Sequence, residues 1–188
     1  SLSSCKKNGV GMNAENAPNV LTDGFNIPLQ IPETLTNPTS LTAKARQASI
    51  NGKTVNVLGY RDGLLGPTIR VQNGQSLNIR FKNELSEATN VHWHGLLVPE
   101  LMDGQPKDAV LPGNSYTYSF PVFQRAGTYF YHSHAHHLTA KHVYKGYAGF
   151  FIVEDNDELQ YGLPSGEYDI PLLIQDRHSV NQPQFNYS

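Results

Sequence analysis

Two alternating histidine pairs are the residues of this sequence best suited to chemistry. His92 and His94 enclose a single tryptophan, and His132 and His134 enclose a single serine. Side chains two residues apart on a β-strand point to the same face of the sheet. If the two strands are neighbours, four imidazoles meet in one patch, and neutral imidazole binds copper, zinc, iron and nickel. Without a metal, the patch would leave buried donors unpaired or bring like charges together. The spacing therefore predicts a metal site.

The other histidines carry weaker signals, because a single histidine in a strand is more often solvated or hydrogen-bonded than bound to metal. His136 extends the second pair by one alternate position. His137 faces the other side, and His142 stands close to two lysines, so both are predicted to be solvated at the surface. His178 has no visible partner and is predicted to be structural.

Composition excludes several functional classes. The 188 residues include 14 Lys and Arg against 16 Asp and Glu, and the basic residues are scattered, so nucleic acid is not an expected partner. No apolar run approaches the roughly 20 residues that a membrane helix needs. Cys5 is the one cysteine, so this chain alone builds neither a disulfide framework nor a cysteine-rich zinc site.

Short alternating segments separated by Gly, Pro and Asn predict the fold class. In residues 75–83, Leu77, Ile79 and Phe81 alternate with polar residues, which gives one buried and one wet face. Similar segments recur at 41–50, 55–57, 90–95, 115–122, 128–132, 148–153 and 169–175. Because no long helical pattern interrupts them, we predict an all-β Greek-key sandwich or barrel. Residues 1–25 are predicted to be a flexible leader, and residues 154–166 to be a linker.

Three motifs make the chain recognisable: Val-His-Trp-His-Gly at 91–95, Met-Asp-Gly at 102–104 and Gly-Thr-Tyr-Phe-Tyr-His-Ser-His at 127–134. Together they resemble the first domain of the multicopper oxidases, which include laccases, bilirubin oxidases and bacterial copper-tolerance oxidases. The resemblance runs from about residue 27 to residue 177. It implies a first cupredoxin-like domain over 26–155, followed at 156–188 by a linker and the opening strand of an unfinished second domain.

The resemblance also implies roles for individual residues. His92 would bind the type 2 copper, His94 and His132 one type 3 copper, and His134 the other type 3 copper. Similar bacterial members carry a histidine at the position of His136 that is not a direct ligand, so the resemblance implies that His136 supports the ligands from behind. Asp103 matches an acid that helps to deliver protons to reduced oxygen in similar enzymes. A carboxylate near copper can hold and pass the protons that reduction of dioxygen consumes. The alternative is that Asp103 only forms the Asp-Gly turn.

The chain lacks two parts of the family pattern, the further histidine ligands and the blue copper site. The cluster in this family needs four more histidines from the last domain, and a blue copper site built on a cysteine delivers the electrons. Cys5 lies in the leader, far from both histidine pairs. We therefore expect an amino-terminal piece of a longer enzyme, or a short protein that needs a partner chain.

The expected parent enzyme oxidises a reducing substrate in one-electron steps and reduces dioxygen to water. Its expected partners are the remaining cupredoxin domains of the same enzyme or of another subunit, dioxygen, and a small reducing substrate or cuprous ion. Two alternatives stay open at this stage: a copper-binding cupredoxin module without catalysis, and a zinc hydrolase.

The leader suggests a location. Leu-Ser-Ser-Cys at 2–5 resembles the tail of a bacterial lipoprotein signal, in which the cysteine becomes the lipidated first residue. The family resemblance likewise implies an exported protein of the periplasm or cell envelope. We expect such a location, with an anchor through Cys5 as one interpretation and an incidental thiol as the other.

Overall fold

A computed structural model describes residues 28–50, 52–60 and 64–177 of the chain. The predictions for the leader, for Cys5 and for His178 lie outside these residues. Every element below belongs to the compact unit that begins at Ile31. None of the helices in the described stretches combines the length and the apolar character that crossing a bilayer requires.

In the described residues, nine strands form two mixed sheets. In spatial order, the first sheet contains β1 (Thr34–Leu35), β4 (Thr68–Gln72), β9 (Ala148–Glu154), β8 (Gly127–His132) and β6 (His92–His94). The second contains β3 (Lys53–Gly59), β2 (Ser40–Ile50), β5 (Ser76–Asn83) and β7 (Ser115–Pro121). β1 with β4, β4 with β9 and β2 with β5 are parallel pairs, and the other pairs are antiparallel. The predicted all-β class is confirmed.

One apolar core joins the two sheets. On β5, Leu77, Ile79 and Phe81 are buried and the residues between them are mostly exposed, as their alternation predicts. They belong to the same cluster of buried residues as Ile69 of β4 and Phe151 of β9 in the other sheet. Burying each such side chain stabilises the fold by roughly 1.5–3 kcal/mol. The sandwich therefore provides a rigid support for β6 and β8, the strands that carry histidines.

The α-helix in the described residues was not predicted. Helix α1 (Thr139–Tyr144) begins a few residues after the second histidine pair and has only six residues. It buries His142 completely, so the prediction that His142 is a solvated surface residue is wrong. The nearby lysines suggested a wet surface, but successive side chains of an α-helix point about 100° apart around its axis, so a buried residue can stand next to a lysine. Lys141 is half-buried and His142 points inward.

Residues 169–175, predicted to be the opening strand of a second domain, form no ladder with the other described residues of this chain. A strand requires backbone pairing with a neighbouring strand. Residues 169–177 instead contact the rest of the chain through side chains. The Asp169 carboxylate lies 2.8 Å from the Arg70 guanidinium, and the Arg177 guanidinium lies 4.9 Å from the centre of the Tyr144 ring. In the predicted linker, a 3₁₀ helix spans Asn156–Tyr161. The domain limits of 26–155 and 156–188 stay a prediction.

Candidate metal centre

The pairing of β6 with β8 decides where the histidines point. The strands are antiparallel, with Trp93 opposite Tyr131 and His92 opposite His132. Trp93 and Tyr131 are fully buried in the core. Because side chains alternate across a strand, His92 must project from the face opposite to Trp93. The apolar pair thus fixes the register that brings the histidines of the two strands together.

Glycines make room for this apolar pair. A Cβ atom at Gly149 would lie 2.4 Å from the Tyr131 ring, and one at Gly66 would lie 2.5 Å from the Tyr131 hydroxyl oxygen. The hydroxyl donates a 2.7 Å hydrogen bond to the carbonyl oxygen of Pro67. Any larger residue at either glycine would force the buried Tyr131 ring to move.

The four predicted histidines form one patch. The ring centre of His92 lies 5.7 Å from that of His94, 5.3 Å from that of His132 and 5.0 Å from that of His134. One ring nitrogen from each of His92, His94 and His132 lies within 4.8 Å of the other two, close enough to share a metal ion. His134 lies just beyond the end of β8 and completes the patch from a third side.

The tightest contact in the patch joins His94 Nδ1 to His132 Nε2 at 3.1 Å. Imidazole nitrogens bind ions such as zinc at about 2.0–2.1 Å, so two nitrogens at this separation would subtend about 95–102° at a shared ion. This angle lies between the values of square and tetrahedral coordination. The ring of Phe130 stacks on that of His94 with 4.2 Å between centres, and sequence reasoning did not single out this support.

Hydrogen bonds set the tautomer of His132. Its Nδ1 lies 2.7 Å from the carbonyl oxygen of Ser133, so Nδ1 carries the proton and Nε2 keeps a free electron pair. Burial, helped by the positive charge that the neighbouring imidazoles can carry, lowers the pKa of His132 to about 4, although the hydrogen bond to the Ser133 carbonyl oxygen opposes this shift. The ring is therefore neutral at pH 7, the state in which imidazole binds a metal.

Asp103 holds His92 in a similar way. His92 Nδ1 lies 2.7 Å from the Asp103 carbonyl oxygen and 3.3 Å from the carboxylate Oδ1, which leaves Nε2 free. The chain also turns at Asp103 and Gly104. Gly104 has φ +66°, and a Cβ there would lie 1.9 Å from the Val91 carbonyl oxygen. The turn and the contact with His92 are compatible, because the turn is what brings Asp103 to the histidine.

Asn90 connects the segment that carries His134 to the turn that follows Asp103, and it was not predicted from the sequence. Its Oδ1 accepts a 2.7 Å hydrogen bond from the His134 amide, and its Nδ2 donates to the carbonyl oxygens of Gly104 and Gln105. The only sign in the sequence is its position just before the first histidine motif. His134 Nδ1 is buried and has no hydrogen-bond partner in the described part of the chain. Such a nitrogen is costly to bury unless something binds it, so the donor set fits a metal.

Two further histidines lie beyond the end of β8. His136 and His137 are exposed in the turn before α1, with their ring centres 3.8 Å apart. Because β8 ends at His132, the alternation that would have placed His136 behind the ligands does not continue. His137 is exposed as predicted, and its φ of +59° is unusual for a residue other than glycine.

Comparison with known proteins agrees with this geometry. The family model described as Multicopper oxidase matches residues 42–158. The multicopper oxidase mco of Staphylococcus aureus is 38% identical over 152 residues, which cover 79% of this chain and 34% of that protein. The cell division protein FtsP of Xenorhabdus nematophila is 36% identical over 154 residues, covering 79% of this chain and 33% of its own length.

Solved structures show the same similarity. The multicopper oxidase McoA of Aquifex aeolicus superposes with a TM-score of 0.78 at 37% identity, over 85% of this chain and 38% of that one. Its cupredoxin fold agrees with the predicted fold class. The chain spans about a third of the length of the curated relatives it matches.

Proposed function

Because the chain belongs to the multicopper oxidase family, we propose that its four-histidine patch holds copper at a site of dioxygen reduction. In this proposal His92 binds a type 2 copper, His94 and His132 share one type 3 copper, and His134 binds the other. The observation that carries it is the 3.1 Å separation of His94 Nδ1 and His132 Nε2, which suits two ligands of one ion.

Bound copper would supply the one-electron redox chemistry that these side chains lack. The residues of the chain would keep the ligands ready. Burial keeps His132 neutral, and the Asp103 carbonyl oxygen orients His92 through Nδ1.

Asp103 is the proposed proton-handling residue. Its Oδ1 lies 3.3 Å from His92 Nδ1, and its Oδ2 accepts a hydrogen bond from the Gln105 amide. A half-buried carboxylate beside a ligand can hold a proton and release it toward the site.

The whole enzyme is proposed to oxidise a small reducing substrate, or cuprous ion, in one-electron steps and to reduce dioxygen to water. The exposed position of His94 supports a shared site, because it leaves the patch open to further ligands. These ligands would come from the remaining cupredoxin domains of the same enzyme or of another subunit. The length of the relatives supports this proposal, since this chain matches only about a third of them.

A copper-binding module without catalysis is the second candidate. The observation that favours it is the similarity to a relative named for cell division and not for oxidation. Metal content and dioxygen consumption of the whole protein, expressed with copper and zinc both present, distinguish the candidates. Copper with dioxygen consumption supports the oxidase, copper alone supports the module, and zinc alone contradicts both.

An exported location in the periplasm or cell envelope, with a lipid anchor at Cys5, is also part of the proposal. It is supported by the Leu-Ser-Ser-Cys sequence at 2–5. Incorporation of a labelled fatty acid, compared between the natural protein and Cys5→Ala, is the measurement. Equal labelling of both would refute the anchor.

The ligand roles are tested by titrating the chain with Cu(I) in competition with a coloured chelator. His94→Ala and His132→Ala should each weaken binding at least about 100-fold, since even residues behind metal ligands contribute 10–100-fold. The matched control is His137→Ala, an exposed histidine outside the patch, which should change affinity less than about twofold. An equal loss in all three variants would show that the patch is not the copper site.

A further inference from the structure

A chain of buried polar side chains leads away from the back of the patch. Ser133 lies between His132 and His134, and its side chain points to the opposite, fully buried side. Its Oγ lies 2.7 Å from Nδ1 of His142, and Nε2 of His142 lies 2.9 Å from Oε1 of Glu87. We refer to Glu87, His142 and Ser133 as the buried relay. The proposed copper chemistry uses none of these side chains directly.

The direction of each hydrogen bond in the relay follows from its partners. The Glu87 carboxylate can only accept, and Lys141 Nζ donates to its other oxygen at 2.6 Å. Burial alone would raise the pKa of Glu87, but the bonds from Lys141 and His142 outweigh it and lower that pKa. His142 therefore donates from Nε2. Burial lowers the pKa of His142, so the neutral ring accepts at Nδ1 and the Ser133 hydroxyl must donate to it.

Ser133 connects the relay to a proposed copper ligand. Its carbonyl oxygen accepts the 2.7 Å hydrogen bond from His132 Nδ1. Its hydroxyl is held by His142 and by Thr89, whose Oγ1 donates at 3.0 Å. These two hydrogen bonds hold the Ser133 side chain in place. They therefore restrict rotation of the Ser133 peptide group, whose carbonyl oxygen faces His132. The orientation of that carbonyl decides which ring nitrogen of His132 carries the proton.

We propose that the buried relay is a positioning device that holds His132 as the Nδ1–H tautomer, with Nε2 presented to the metal. The proposal rests on the proposed function only for the identity of that metal. The fold alone does not call for this arrangement. An apolar side chain at position 142 would fill the same space. It would also avoid burying three polar side chains that each need a hydrogen-bond partner. The relay also ties α1, too short to be stable alone, to the end of β8.

The test reads the tautomer of His132 in the metal-free chain by ¹⁵N NMR of labelled histidines. Ser133→Ala removes only the hydroxyl, and His142→Leu removes both ring nitrogens. His142→Gln is the rescue variant, because its amide can accept from Ser133 and donate to Glu87. We expect mixed tautomers at His132 in the first two variants and the natural tautomer in His142→Gln and in the exposed control His137→Gln.

Cu(I) affinity of the same chain provides a second readout. The variants Ser133→Ala and His142→Leu should bind roughly 10–100-fold more weakly, and His142→Gln within about threefold of the natural chain. If the first two lose stability but keep the His132 tautomer, the relay is purely structural and the proposal is overturned. If the tautomer shifts as expected but the whole protein, supplied with copper, takes up none, the relay stands and the proposed function fails. Ser133→Ala keeps the test decisive if His142→Leu does not fold.

Discussion

Replacing Gly104 by alanine should move Asp103 away from His92. Gly104 has φ +66°, and an added Cβ would lie 1.9 Å from the carbonyl oxygen of Val91, where real contacts essentially never fall under 3.0 Å. The turn must therefore retreat by about 1.1 Å, the difference between these two distances. A retreat of that size would stretch the 2.7 Å bond from His92 Nδ1 to the Asp103 carbonyl oxygen beyond hydrogen-bond range.

Two costs make up the expected loss of stability. A positive φ costs a residue other than glycine roughly 1–2 kcal/mol, and overpacking adds about 1–3 kcal/mol. Gly113→Ala is a matched control, because Gly113 has φ +79° with nothing within 4 Å of an added Cβ. Gly113→Ala should therefore lose only the roughly 1–2 kcal/mol that the positive φ costs. Gly104→Ala should thus be less stable than Gly113→Ala by about 1–3 kcal/mol.

Urea unfolding of the metal-free chain measures the stability difference, and Cu(I) competition measures the effect on the site. Gly104→Ala should lose about tenfold or more in Cu(I) affinity, because His92 would no longer be held by its Nδ1 partner. Gly113→Ala should bind Cu(I) like the natural chain. If the two variants unfold at the same urea concentration, or if Gly104→Ala keeps full affinity, the turn does not position His92.

Two further predictions concern ionisable groups. The pKa of His132 is about 4 in the folded chain and about 6.5 when unfolded, so the unfolded chain takes up this proton first as the pH falls. The metal-free chain should therefore lose up to about 3 kcal/mol of stability between pH 6.5 and pH 4. His132→Gln should lack this part of the dependence, and identical pH profiles would contradict the assignment. If the whole protein reduces dioxygen as proposed, Asp103→Asn should slow its dioxygen consumption roughly 100-fold with copper content unchanged. Loss of copper instead would mean that Asp103 only orients His92.

The elements that follow a local period could be predicted from the sequence. The alternation of Leu77, Ile79 and Phe81 predicts a half-buried strand, and β5 has that burial pattern. The same rule placed His92 and His94 on one face, with Trp93 on the other. A strand's two-residue period is a property of the backbone, so neighbouring side chains reveal it without any knowledge of the fold.

Pairing and desolvation were decided only by the tertiary structure. His92 and His132 are neighbours because β6 pairs with β8 across about forty residues of chain, a contact that no local pattern encodes. His142 looked solvated beside Lys141, yet α1 turns it into the core against Ser133 and Glu87. Whether a polar side chain is wet or buried depends on what packs over it, and those atoms come from distant parts of the chain. The sequence by itself therefore determined which histidines could bind a metal, and long-range packing determined how their rings come together.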